Sequence, residues 1–337
     1  MKGWRISSFG IDTLESFEAP TPTAGPGQVV VKVHAVSLNY RDLMMVKGFY
    51  NPKMALPRIP CSDGAGEIVE IGEGVEGIKP GDRVAGIFMQ RWIDGPPSAA
   101  KQKAALGGDI DGMLAEYVAL DASGVVPIPA HLPYEEAATL PCAAVTAWNA
   151  VVTEAKTRPG ETVVIQGTGG VSIFALQFAK LLGARVLGTS SSDDKLVRGK
   201  MLGLDAGVNY KEHPNWADWV LAETDGEGAD LIVEVGGAGT FAQSLKAVRV
   251  GGTIAQIGVL SQSNEPLQIA PVLRKQVHVQ GIYVGSRADF VAMNRAIAQI
   301  RLRPVIDSEF AFADARAAFQ KMEGASHFGK IVIRVQI

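Results

Sequence analysis

Thr162-Val163-Val164-Ile165-Gln166 runs into Gly167-Thr168-Gly169-Gly170-Val171-Ser172 and on through the largely apolar residues 173–182. A β-branched run, a glycine-rich turn and an apolar helix form the context in which a G-x-G-x-x-G/A pattern carries meaning. Gly167 permits the tight turn. Gly169 lets a pyrophosphate approach the backbone, and the helix start offers N–H donors and the positive end of its dipole. The third motif position is Ser172, small enough for close helix–strand packing. Gly167, Thr168, Gly169, Gly170 and Val171 are therefore candidate contacts to a dinucleotide.

Around this unit strands and helices alternate. Strands are predicted over 162–166, 184–188, 207–210, 231–235 and 253–257, and helices over 171–182, 194–202, 215–223 and 240–248. The alternation predicts an α/β domain, a doubly wound parallel sheet of Rossmann type covered on both faces. The second strand ends in Ser190-Ser191-Ser192, with Lys195 following. NAD-type sites place an acid there for the ribose 2′-hydroxyl. Hydroxyls and a cation suit a 2′-phosphate instead, so NADPH is expected over NADH, although Asp193 and Asp194 stand at the start of the next helix. Ligands bind outside the carboxyl ends of such strands, so Gly236, Ile257 and Val259 are expected to line the crevice.

The flanks have a different texture. Strands at 29–35, after the turn Gly25-Pro26-Gly27, and at 67–71, 83–88 and 116–120 make the first part β-rich. A helix starts at Tyr134, and residues 89–112 read as a long excursion. Past Gln280, helices at 289–300 and 314–322 precede a strand at 330–335 that is expected to complete the first domain. The domains are thus residues 1–143 with 283–337, and residues 144–282 inserted between them. A length of 337 residues suits two domains, and 47 % apolar residues support a sizeable core. The net charge of −3, from 32 Lys plus Arg against 35 Asp plus Glu, argues against a nucleic-acid partner. No apolar run approaches the roughly 18–20 residues of a membrane span. Two cysteines, Cys61 and Cys142, exclude a disulfide scaffold and fit a reducing compartment. The expectation is a soluble, cytoplasmic protein with a small-molecule substrate.

The order of motifs resembles the medium-chain dehydrogenase/reductase superfamily, in its zinc-free quinone-oxidoreductase-like branch. The resemblance rests on Gly25-Pro26-Gly27-Gln28-Val29, Leu38-Asn39-Tyr40-Arg41-Asp42, Gly64-Ala65-Gly66 through Gly72 to Lys79-Pro80-Gly81-Asp82-Arg83-Val84, Leu140-Pro141-Cys142 with Thr146-Ala147-Trp148, the Gly167 turn, and Gly329-Lys330-Ile331-Val332. It implies a GroES-like catalytic domain built from both chain ends, a Rossmann domain between, a cofactor in the cleft, and a homodimer or tetramer. It also implies that Thr146 packs beside the nicotinamide, Tyr210 approaches the adenine ribose phosphate, Lys330 reaches the phosphates, and Tyr283 sits near the nicotinamide or the dimer seam.

Zinc-dependent relatives hold their catalytic zinc with a Cys, the His of a Gly-His-Glu triplet and a second Cys. Those positions correspond here to Asn39, Ser62 of Cys61-Ser62-Asp63, and Cys142. One thiolate is too few for a zinc that takes three protein ligands and a water. The histidines, His34, His131, His213, His278 and His327, show no ligand spacing. No metal is expected. Without a Lewis acid for an alkoxide, reduction of a conjugated acceptor by NADPH is favoured, because conjugation disperses the developing charge. Tyr50 aligns with a tyrosine that donates a proton or orients substrate in related enoyl reductases, and Asn39 is a candidate hydrogen-bond partner of substrate or nicotinamide ribose. The leading expectation is a zinc-independent, NADPH-dependent reductase of quinones or α,β-unsaturated carbonyls. An NADP-dependent alcohol/aldehyde dehydrogenase without zinc and an NADPH-binding protein of structural or regulatory role stand as alternatives. Loops 44–58, 89–112 and 260–275 are expected to shape the pocket.

Overall fold

The computed structural model describes residues 1–263, 266 and 269–335. The chain divides into two units, Thr146–Val284, and Met1–Val145 with Gly285–Ile337. Within the 260–275 loop, positions 264, 265, 267 and 268 lie outside the described residues.

The unit Thr146–Val284 is built on a six-stranded sheet. Its order is Ala206–Asn209, Arg185–Ser190, Thr162–Gln166, Ala229–Glu234, Val248–Gln256, His278–Gly281. Every neighbouring pair is parallel. The chain starts at Thr162–Gln166, winds outward to one edge, returns to the other side of the same strand and winds outward again. This is the doubly wound arrangement, and it places a topological switch point between Thr162–Gln166 and Ala229–Glu234. Side chains alternate between the faces. Val164, Leu187, Ile232 and Ile254 bury against Trp216, Val220 and Leu245 of the helices Trp216–Glu223 and Phe241–Ala247. The alternate set, Val163, Ile165, Val186, Leu231 and Val233, is equally buried. Helix Gly170–Leu181 turns Ile173, Phe174, Leu176 and Phe178 inward, and Phe178 meets Trp148 edge-on at 5.4 Å.

In the other unit the strand Gln28–Leu38 is the axis of a mostly antiparallel seven-stranded sheet. Its first half pairs with Tyr117–Asp121 and its last residues with Lys330–Arg334, while Asp63–Ile71 lies along its opposite edge. One strand therefore joins segments from both ends of the chain. Val29, Val31, Val33 and Ile68 pack with Phe319, Met322, Ile331 and Ile333 in its core. A hairpin, Lys2–Ile6 with Leu14–Glu18, and a strand Ile306–Ala311 parallel to Lys330–Arg334 escaped the sequence reading.

The helix expected from Tyr134 ends at Ala137 and gives way to a π-helical turn, Leu140–Ala144. Pro141 has no N–H for the α ladder, which accounts for the wider turn. The excursion 89–112 forms no long element, yet Met89, Trp92 and Leu106 are buried and pin it to the unit.

The turn at Gly25 seats directly on Gly72: the Gly72 N–H donates to Gln28 O at 2.8 Å, and a Cβ at Gly72 would fall 1.8 Å from Gly25 O. Both neighbours are backbone and cannot swing aside. Gly72→Ala is expected to cost about 2 kcal/mol or more. Equilibrium denaturation checks this, and a change under about 0.5 kcal/mol would contradict the seating.

Candidate active site

In the Thr146–Val284 unit, the glycine turn lies at the carboxyl end of the central strand. Gly167 has φ +66°, the left-handed region, and its N–H donates to Thr189 O at 2.8 Å. A Cβ at Gly167 or Gly169 would meet nothing within 4 Å. The space above the turn is open, so close contact with the rest of the chain does not explain Gly169. Approach of a ligand does. No side chain caps helix Gly170–Leu181, leaving its first N–H groups for an anion. Ser172 is buried and donates through Oγ to Gln166 O at 2.7 Å, so the departure from Gly or Ala adds a helix–strand tie. These residues fit a dinucleotide pyrophosphate. Thr168 is buried, while Gly170 and Val171 are half-buried.

At the end of Arg185–Ser190 the hydroxyls separate in role. Ser190 is buried and its Oγ accepts from Ser192 N at 3.2 Å, which closes a turn. Ser192 stands at the N-cap position of the helix Asp193–Met201, with no side-chain capping bond. Ser191 and Lys195 are half-buried on this turn. Tyr210, 40 % exposed, is brought alongside by its N–H to Ser190 O at 2.9 Å. Asp193 and Asp194 are exposed in the first helical turn, where they complement the dipole. On the other side of the switch point, Gly236 and Ile257 are half-buried at the strand ends and Val259 is exposed. Thr146 is buried on the helix Val145–Trp148, and Asn149 of the following turn donates to Val284 O at 2.7 Å, which anchors the segment carrying Tyr283.

The other unit contains a buried polar cluster. Asn39, in extended conformation, caps the helix Tyr40–Val46, and its N–H donates to Asp42 Oδ2 at 2.8 Å. Asn39 Nδ2 donates to Ser62 Oγ at 3.4 Å, and Ser62 Oγ donates to Asp63 Oδ1 at 2.7 Å. Asp63 Oδ2 accepts from Cys142 N at 3.0 Å. The segments carrying positions 39, 62 and 142 thus converge, as the resemblance implies. Lys330 joins them from the carboxyl-terminal strand. Its ammonium, 3 % exposed, donates to Asn39 Oδ1 at 2.5 Å and Leu38 O at 2.6 Å.

Lys330 thus bonds a buried carbonyl and a buried amide oxygen. Asn39, 8 % exposed, has its amide oxygen and nitrogen both engaged inside the protein and links these segments. Tyr50 stays accessible at 42 % exposure. The Arg41 guanidinium lies 5.5 Å from its ring centroid and 4.6 Å from that of Phe88, and donates to Leu106 O at 2.7 Å.

The donor set does not fit a zinc ion. Asn39 Oδ1 already faces an ammonium, and Ser62 offers a hydroxyl. Cys142 is the one thiol among the three positions, and burial with the Asp63 charge raises it above its ordinary range. Among the described residues, no group of three or more His, Cys, Asp or Glu is arranged to hold a metal. Burial raises the Asp63 carboxyl, which Lys330 partly offsets. Asp42 is pushed up to about 6, chiefly by burial, with Arg41 opposing. Sequence reasoning missed Asp42; the signal was an Asn with an Asp three residues on, a helix-capping pattern.

Comparison with known proteins identifies the family from both units. Residues 25–130 match the alcohol dehydrogenase GroES-like domain family and residues 170–299 the zinc-binding dehydrogenase family. A zinc-type alcohol dehydrogenase-like protein of Schizosaccharomyces pombe is 42 % identical over 98 % of this chain and 97 % of its own. An acryloyl-coenzyme A reductase of Metallosphaera sedula is 28 % identical over 94 % and 95 %. A crystal structure of an NAD-dependent alcohol dehydrogenase superposes with a TM-score of 0.92 at 35 % identity, covering 100 % of both chains. The chain belongs to the medium-chain dehydrogenase/reductase superfamily, whose members are nicotinamide-dependent oxidoreductases.

Asp42 generates a pH signature. Its folded-state value lies above the ordinary 3.8, so the folded state binds the proton more tightly than the unfolded chain. That contribution is complete below 3.8 and is lost as pH rises toward about 6. Relative to wild type, Asp42→Asn is expected to gain stability progressively across this window, with Asp63 common to both proteins. Urea denaturation from pH 4 to 7 measures it; parallel curves would contradict a raised Asp42.

Proposed function

We propose that the chain is a zinc-independent, NADPH-dependent oxidoreductase that transfers hydride to a quinone or an α,β-unsaturated carbonyl. The observation that carries the reading is the pairing of an open glycine turn at a parallel-sheet switch point with a buried ammonium on Asn39, where zinc-using relatives place a ligand. Bound NADPH supplies the hydride. The Gly167 turn and the start of helix Gly170–Leu181 hold its pyrophosphate. Ser191, Lys195 and Tyr210 hold the 2′-phosphate, and Gly236, Ile257 and Val259 line the crevice. Thr146 and Tyr283 flank the nicotinamide.

Tyr50 donates a hydrogen bond to the carbonyl oxygen on which charge develops, or a proton to the product. A conjugated acceptor disperses that charge and makes one neutral donor sufficient. The name of the acryloyl-coenzyme A reductase relative supports an activated alkene as acceptor. A second reading, alcohol or aldehyde dehydrogenase, is supported by the names of the S. pombe relative and the superposed structure.

We further propose assembly as a homodimer or tetramer in a reducing, cytoplasmic setting, with no nucleic-acid or membrane partner. All of His278–Gly281, Val279 included, is exposed at the sheet edge. An open edge is a template for a second copy. Among the described residues no helix is long and apolar enough to cross a membrane.

The test is steady-state turnover of NADPH and NADH with quinones, enones, aldehydes and alcohols, with and without a strong chelator. Chelator-insensitive turnover preferring NADPH and conjugated acceptors is expected. Abolition by chelator would overturn metal independence, and nucleotide binding without turnover would favour a structural or regulatory role. Tyr50→Phe is expected to lower kcat about 10²-fold while leaving nucleotide affinity unchanged; an unchanged kcat would remove Tyr50 from the mechanism.

A further inference from the structure

Glu234 ends the strand Ala229–Glu234 and is fully buried. Its Oε1 accepts from Gly236 N at 2.8 Å, Gly237 N at 2.9 Å and Thr240 Oγ1 at 2.6 Å. Its Oε2 accepts from Gln166 Nε2 at 2.6 Å and from Ser244 Oγ. All these partners are neutral. A buried carboxylate without a cation is costly unless donors surround it, and here they do.

The network ties both sides of the switch point together. Gln166 precedes the glycine turn, and its Oε1 accepts from Val235 N and Gly236 N, each at 3.2 Å. Gly236 O in turn accepts from Ser261 N at 2.7 Å and Ser261 Oγ at 2.8 Å. Backbone packs on backbone there: a Cβ at Gly258 would fall 1.9 Å from Val235 O. The loop after the fourth strand is thus fixed to the stem of the Gly167 turn through the Glu234 carboxylate and the Gln166 amide together.

We propose that Glu234 is a positioning residue of the nucleotide crevice, holding the 235–240 loop against the glycine turn so that both meet the cofactor pre-set. This rests on the nucleotide-binding reading above. An amide at this position cannot reproduce the carboxylate. Its NH₂ faces donors in either orientation, and relieving the clash on the Oε2 side requires Gln166 to flip and lose its bonds to Val235 and Gly236.

The test uses the full-length protein, with NADPH and NADP⁺ as probes. Nucleotide Kd is measured by fluorescence titration, kcat at saturating nucleotide, and folding by circular dichroism at the assay temperature. Glu234→Gln is expected to raise Kd about tenfold or more with kcat changed less than about threefold. Thr240→Val keeps the shape, removes one donor and is expected to raise Kd about threefold. If Glu234→Gln does not fold, Thr240→Val decides alone. A folded variant that binds with wild-type affinity, or one that loses kcat at unchanged Kd, overturns the positioning role. Failure of the wild-type chain to bind either nucleotide overturns the nucleotide reading itself and this proposal with it.

Discussion

The reversal of strand order at Thr162–Gln166 is the constraint on which the rest of the nucleotide-binding unit depends. Parallel strands need crossover connections, and those connections keep one hand. A chain that starts in the middle of the sheet and winds out twice must therefore leave the helices on opposite faces and a gap beyond the carboxyl ends of the first and fourth strands, where their connections diverge. That gap is where backbone groups reach solvent without a partner strand above them. The glycine turn on one side and Gly236-Gly237 on the other meet this gap, and the buried Gln166–Glu234 pair keeps the two sides in register. Chemistry at the gap is thus decided by short polar links rather than by the hydrophobic packing of Val164, Ile232 and their neighbours, which sets only that the sheet exists.

In the other unit the organising interaction is the contact of Lys330 with Leu38 O and Asn39 Oδ1. It fastens the carboxyl-terminal strand to the end of Gln28–Leu38 and puts a positive charge beside the buried carboxylates Asp42 and Asp63. The family description for residues 170–299 speaks of zinc binding, but this charge arrangement is self-contained. Removing Lys330 would leave the buried Asp63 without its cation, while Asp42 would keep Arg41, so the ammonium answers a need of the fold whatever the reaction is. On the proposed reading it also makes a metal superfluous, and the burden of stabilising developing charge passes to the conjugated acceptor and Tyr50.

Sequence legibility followed the range of the interactions. Thr162–Gln166 was readable at both ends because a β-branched run bounded by a turn is a local signal. The hairpin Lys2–Ile6 with Leu14–Glu18 was not, since glutamates and a glycine blunt its alternation. Ile306–Ala311 carries Asp307, Ser308 and Glu309 and reads as loop until Lys330–Arg334 is seen beside it. Lys330 shows the limit most sharply. Its strand was legible, but its partners lie 291 and 292 residues earlier in the chain, and no local pattern reports such a bond. Glu234 was invisible for a related reason: an acid at a strand end reads as solvated until the donors from positions 166, 236, 237, 240 and 244 are placed around it.

Hydride transfer to carbon is the central claim, and isotope tracing reaches it most directly. NADPH deuterated stereospecifically at nicotinamide C4, on each face in turn, is incubated with the protein and an enone, and the product is examined by NMR and mass spectrometry. The result predicted is deuterium from one face only, carried to the carbon β to the carbonyl, with the α proton drawn from solvent. Product without deuterium from either face, or deuterium on the carbinol carbon, would contradict it.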